Sequence, residues 1–169
     1  MTAPTLTIRP AAQRDLAAID GLLAQSYPAL LKHDYQPSVL VTALPLIARA
    51  NPRLIASATY FVATDEAGQI IGAGGWTWTG PQGGAGPRDM AHVRHLVTDH
   101  RRIRRGIGRA LMTHVFETAR AAGAGRLDCQ STLTAVPFYA RLGFREIGPI
   151  EIRLRPGIDF PAVRMLKRL

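Results

Sequence analysis

Two stretches of this 169-residue sequence hold residue types that do chemistry. In DHRRIRRGIGRALM, Asp99 to Met112, five arginines and two glycines stand ahead of an apolar run with helical spacing. A helix N-terminus offers backbone N–H groups that lack intrahelical acceptors, at the positive end of the helix dipole. Gly106 and Gly108 remove side chains that would block close approach, so a pyrophosphate fits there, with Arg104, Arg105 and Arg109 adding charge-assisted contacts. A P-loop would need a Lys-Ser/Thr pair after its second glycine, and a dinucleotide fingerprint a third glycine; neither is present. The bland alternative is a glycine-rich helix entry with solvated arginines. The second stretch, MAHVRHLVT from Met90, offers two imidazoles that titrate near neutral pH. Strand alternation puts His92 beside Arg94, Leu96 and Thr98, and His95 beside Val93 and Val97, so both histidines cannot face one substrate.

The elements that must position these residues are legible as one domain spanning residues 1–169. Composition is 47% apolar and 20% charged, inside the globular range. Thr5–Pro10 alternates as a first strand, followed by a helix carrying Leu16, Ile19, Leu22 and Leu23 up to Tyr27. A second helix begins near Pro37, and Pro45 predicts a kink or break in it. Two strands flank the Asp65–Gly68 turn as a hairpin, and Gly80–Asp89 reads as a loop rich in Gly and Pro. A fourth strand at Met90 precedes the arginine loop, and a helix runs from Gly106 to a stop at Gly123. RLDCQS, REIGPIEIRLRP and AVRMLKRL read as strands, and AVPFYARLGF as a short helix.

The net charge of +9 is almost wholly arginine, since Lys32 and Lys167 are the only lysines. It attracts nucleic acids, acidic proteins and polyphosphates alike. No apolar run reaches membrane-spanning length and the N-terminus lacks signal-peptide order, so the expectation is a cytoplasmic protein with no membrane partner. The single cysteine, Cys129, excludes an internal disulfide framework and a multi-cysteine metal site, and reads as a buried strand thiol.

The strand, then RRGIGRALM, then a further strand and AVPFYARLGF, resembles the GNAT acetyltransferase superfamily over nearly the full chain. The resemblance implies a mixed α/β (α+β) fold: a mostly antiparallel, twisted central sheet of about seven strands flanked by about four helices. It also implies acetyl-CoA as co-substrate, with no metal. Its pyrophosphate would lie on the loop Arg104, Arg105, Gly106, Ile107, Gly108, Arg109 and Ala110, with further contacts along Leu96, Val97 and Thr98. Two positions depart from the family pattern. Ile103 stands where Gln or Arg is usual, which leaves the holding to backbone amides. Thr132, a candidate contact to the pantetheine of the coenzyme, replaces the asparagine often found seven residues before the tyrosine of the fYxxLGF segment, here Tyr139.

The chemistry implied is direct transfer of an acetyl group to an amine, which must lose a proton before attacking the thioester. Tyr139 is the candidate acid for the departing thiolate, and the backbone near Leu96 and Val97 the oxyanion donor. His92 is the candidate base, at a place where some relatives carry glutamate, with a water-mediated base as the alternative. Trp76 and Trp78 share one strand face and either wall an acceptor pocket or pack on a helix. Arg94 either meets an acidic substrate group or serves an internal ion pair. The acceptor stays open: small molecule, amino acid, peptide amine or a charged tRNA. A homodimer is common among similar proteins. Two other readings are an arginine-rich nucleic-acid-binding protein and a coenzyme-binding module without turnover.

Overall fold

In a computed structural model describing residues 5–84 and 86–169, the first four strands pair antiparallel in chain order. They are β1 (Thr7–Pro10), β2 (Tyr60–Thr64), β3 (Ile70–Thr77) and β4 (Met90–Thr98). β4 then pairs in parallel with β5 (Arg126–Thr132), the sheet's one parallel pair. β7 (Ile158–Arg168) lies between β5 and β6 (Arg145–Arg155), giving the order β1-β2-β3-β4-β5-β7-β6. The sheet is therefore seven-stranded and mostly antiparallel, as expected.

Helices α1 (Leu16–Leu31) and α2 (Pro37–Ile47) cover one face, packing on Tyr60, Val62, Ala73, Val97 and Phe160. The other face takes α4 (Ile107–Ala121), whose Leu111, Met112, Val115 and Ala119 are fully buried against Phe61, Val93, Leu127 and Met165. Burying each large apolar side chain of this stripe contributes roughly 1.5–3 kcal/mol. α5 (Val136–Arg141) is the short helix after β5.

Three details differ from the sequence reading. α1 continues through Pro28 to Leu31, because Tyr27 and Leu31 gain burial that offsets the backbone bond Pro28 cannot make. Pro45 lies in the last turn of α2, which ends two residues later. A one-turn helix, α3 (Pro52–Ile55), was not expected; Asn51 caps it by accepting from the Arg53 amide.

Two irregularities shape the centre of the sheet. β4 carries an extra residue opposite Gly74: the register passes from Ala73↔Val97 to Gly75↔Arg94, and His95 takes the left-handed conformation at φ 49°. The bulge reverses the facing pattern of β4, so Val93 belongs to the α4 side and Val97 to the α1/α2 side. Ahead of the bulge, β4 and β5 pair only at Met90↔Arg126, Ala91↔Leu127 and His92↔Asp128, then diverge. β5 stays paired with β7 along its whole length, so the gap opens between Val93–Thr98 and Cys129–Thr132.

Candidate active site

The gap between β4 and β5 is a cleft of about 1190 Å³ that runs from the α4 N-terminus through the sheet to the α1/α2 side. At its α4 end the backbone is shaped for an anion. Arg104 (φ 62°) and Gly106 (φ 79°) both take the left-handed conformation, and Gly106 is the N-cap residue, with no side chain capping the helix. No acidic residue stands in the first turn, so the amides of Ile107, Gly108 and Arg109 keep their donors for a ligand.

The two glycines serve different ends. Gly106 has open space around it and is required by its φ, whereas a Cβ on Gly108 would lie 3.1 Å from the Phe138 ring, so Gly108 lets α5 seat against the start of α4. The five arginines also separate into two groups. Arg101 forks onto Asp99 at 3.1 and 2.9 Å, and Arg102 pairs with Asp65 at 3.0 Å, tying the loop to the β2–β3 turn. Arg101 stays exposed, whereas the Arg102 side chain is drawn in to 29% exposure. Arg104, Arg105 and Arg109 are exposed and form no ion pair among the described residues.

Of the residues singled out in the sequence, Arg94, Leu96, Val97, Thr98, Arg104, Gly106, Ile107, Gly108, Arg109, Thr132 and Tyr139 line the cleft. Arg105 and Ala110 flank the loop without lining it. Tyr139 is buried between Phe138 and Phe144, with ring centroids 5.2 and 5.3 Å away. Desolvation, with Cys129 beside it, raises its hydroxyl well above the ordinary tyrosine value, so it stays a neutral O–H donor. Burial likewise pushes the Cys129 thiol up to about 12, which removes it as a nucleophile near neutral pH.

The β4–β5 register and the bulge together correct the reading of the two histidines. His92 lies outside the cleft, in a separate cavity of about 200 Å³ with Asp128, Gln130 and Arg164, where its Nε2 is buried without a partner. His95 instead turns to the α1/α2 side and lines the cleft next to Arg94. Its Nε2 donates to the Ile47 carbonyl at 2.8 Å, which leaves Nδ1 as the acceptor of a neutral ring. Burial, with the Arg94 charge adding to it, lowers the His95 pKa below the usual histidine value. The sequence marks this bulge only faintly, since a left-handed position is chiefly signalled by glycine and histidine is one of a few other residues enriched there.

Trp76 does not wall the cleft. It is 3% exposed, its Nε1 donates to Thr118 Oγ1 at 2.9 Å, and it packs on α4. Thr132 Oγ1 accepts from the Ala135 amide at 3.2 Å, a local bond at the entry to α5. The sequence reading missed Thr134, whose hydroxyl is buried in the cleft lining with no partner. No cluster of three or more His, Cys, Asp or Glu suited to a metal ion occurs among the described residues. No helix among them is long and apolar enough to cross a membrane.

Comparison with known proteins agrees with this architecture. A glucosamine 6-phosphate N-acetyltransferase from Trypanosoma brucei brucei is 31% identical over 78 residues, 46% of this chain and 52% of that protein, so the match spans about half of the relative's length. A GCN5-related N-acetyltransferase from Rhodopseudomonas palustris superposes with a TM-score of 0.76 at 20% identity, over 100% of this chain and 99% of that one. The PaiA N-acetyltransferase from Thermoplasma acidophilum, solved in complex with coenzyme A, gives 0.72 at 14% identity over 98% and 99% of the two chains. The family described as the acetyltransferase (GNAT) domain matches residues 32–168, and the chain belongs to that family.

Proposed function

We propose that this protein transfers an acetyl group from acetyl-CoA to an amine, within the cleft between β4 and β5. The observation that carries the reading is the uncapped, acid-free N-terminus of α4 opening into a gap in the sheet next to a buried, protonated tyrosine. The amides of Ile107, Gly108 and Arg109 hold a pyrophosphate, with Arg104 and Arg109 supplying charge from side chains that no internal acid occupies. The orphaned Thr134 hydroxyl gives a polar contact to the chain that follows, where Thr132 is already engaged.

From Val93 on, the edge of β4 that faces β5 has no strand partner, so its backbone donors are available to the thioester oxygen as charge develops there. The acceptor amine arrives from the α1/α2 side. His95, its tautomer set by Ile47 and its neutral form favoured by burial, takes the amine proton on Nδ1, and the Tyr139 hydroxyl donates to the departing thiolate. His95 replaces His92 in this role because it lines the cleft and His92 does not.

Two measurements test this reading. Isothermal titration should give acetyl-CoA binding that falls at least tenfold in the doubly reversed Arg104→Glu/Arg109→Glu variant. A panel of amines with a free-thiol readout should show turnover. Tight, salt-sensitive RNA binding with no affinity for acetyl-CoA would favour the nucleic-acid reading instead. The split of the arginines weighs against that reading, because Arg101 and Arg102 are committed to Asp99 and Asp65 rather than to one basic stripe.

A further inference from the structure

Five arginines in this chain are half-buried: Arg9, Arg94, Arg102, Arg126 and Arg164. Four of them pair with a carboxylate at 3.0 Å or less, on Asp15, Asp65, Asp89 and Asp128 respectively. Arg94 has none among the described residues, and its one side-chain hydrogen bond is from Nη1 to Thr77 Oγ1 at 2.9 Å. Thr77 is itself held, since its hydroxyl donates to the Thr79 carbonyl at 2.7 Å, so the guanidinium is fixed at one corner while its remaining donors are free. A half-buried cation without a counter-ion costs stability unless something else compensates it.

Arg94 lines the cleft on the side away from the pyrophosphate loop, beside His95. Among the described residues, seven arginines line the cleft and no Asp or Glu does. Only Arg49, Arg94 and Arg153 of these lie on the α1/α2 side; Arg49 is exposed and Arg153 is bound to Asp159 at 3.0 Å. Leu30, Ile47 and Phe160 supply apolar surface around them. A purely cationic acceptor, such as a polyamine or a lysine-rich peptide, would bring positive charge against positive charge here. A guanidinium with free parallel donors suits a planar or tetrahedral oxyanion bound bidentately.

We propose that the acceptor is an amine that also carries an anionic group, a carboxylate or a phosphate, and that Arg94 is the residue that docks this group. This rests on the reading of the cleft as a transferase site. The role of Arg94 is binding and orientation: the anion fixes one end of the acceptor so that its amine meets the thioester beside His95.

The test compares matched amines on the wild-type protein and on Arg94→Gln and Arg94→Lys. The pairs are L-leucine against leucinol for the carboxylate, and phosphoethanolamine against ethanolamine for the phosphate, with spermidine as the cationic arm. One anionic member should exceed its neutral partner in kcat/KM by about thirtyfold or more, and which pair does so names the anion. In Arg94→Gln that ratio should fall to near one, while affinity for acetyl-CoA by titration stays within about twofold; Arg94→Lys should recover part of it. A second measurement needs no turnover: the anionic amine alone should raise the thermal midpoint of the wild type and not of Arg94→Gln. Preference for spermidine or the neutral amines, or an anion effect that survives Arg94→Gln in both assays, overturns the assignment. Loss of acetyl-CoA binding and turnover, with the Arg94-dependent thermal shift intact, would instead overturn the transferase reading and leave the anion site standing.

Discussion

The Tyr60 hydroxyl on β2 donates to the His95 carbonyl on β4 at 2.8 Å, reaching across β3 at the point where β3 is Gly74 and Gly75. From α1, the Tyr27 hydroxyl donates to the next carbonyl, Leu96, at 3.1 Å. Together they satisfy carbonyls at the bulge, where ladder pairing is broken. The two tyrosines thereby fix the backbone that aims His95 and Arg94. Tyr60→Phe should destabilise the fold by about 1–3 kcal/mol, the cost of a buried carbonyl left unpaired, measured by denaturant unfolding. It should also lower kcat more than it changes acetyl-CoA affinity, because the bulge shifts and the α4 loop does not.

Tyr139→Phe keeps the ring that packs between Phe138 and Phe144 and removes only the donor. Turnover should drop about a hundredfold, with the dissociation constant of acetyl-CoA and the thermal midpoint nearly unchanged. An unaltered turnover would remove Tyr139 from the acid role.

At the α4 loop, changes at the glycines should harm coenzyme binding more than Arg101→Ala does. Gly108→Ala places a Cβ 3.1 Å from Phe138 and so displaces α5, whereas Gly106→Ala is strained by its φ of 79° at a cost of about 1–2 kcal/mol. Titration calorimetry with acetyl-CoA on the three variants orders them directly. Arg102→Ala should fall between, because it frees the loop from Asp65.

The pH dependence follows from His95. Its folded pKa lies below the usual 6.5, owing first to burial and then to Arg94, partly offset by its bond to Ile47. In the proposed role of base His95 acts when neutral, so kcat/KM should hold through pH 7 and fall on an acid limb below 6.5. His95→Gln should abolish that limb and His92→Gln should retain it. The same depressed pKa means the stability His95 confers is full above the unfolded value and is lost as pH falls through the folded one. Unfolding measured across pH 7 to 5 in wild type and His95→Gln checks this.

How far the site was legible in the sequence depended on whether a residue's role is local. The glycine-bearing loop at the start of α4 was, because glycine positions and a helix start are local signals, and so was the strand order around it. The fate of the arginines was not: whether Arg94 or Arg102 finds a carboxylate depends on Asp65 and other residues far along the chain. Trp76 could pack or wall a pocket on equal terms until Thr118 was seen to accept its Nε1. The choice between the histidines failed on two non-local facts: β4 is still paired with β5 at His92, so the cleft opens only after it, and a single inserted residue turns His95 to the cleft. Thr134 carries no sequence signal, because an orphaned hydroxyl is defined by what does not surround it.

The three rungs between β4 and β5 make a seam in the sheet, with a four-stranded half on one side and the β5-β7-β6 half on the other. A molecule lying in the gap touches both halves and takes over the work of the missing rungs. Occupancy is then a mechanical matter as well as a chemical one: the loaded protein should unfold as one body, and the empty one should part first along this line.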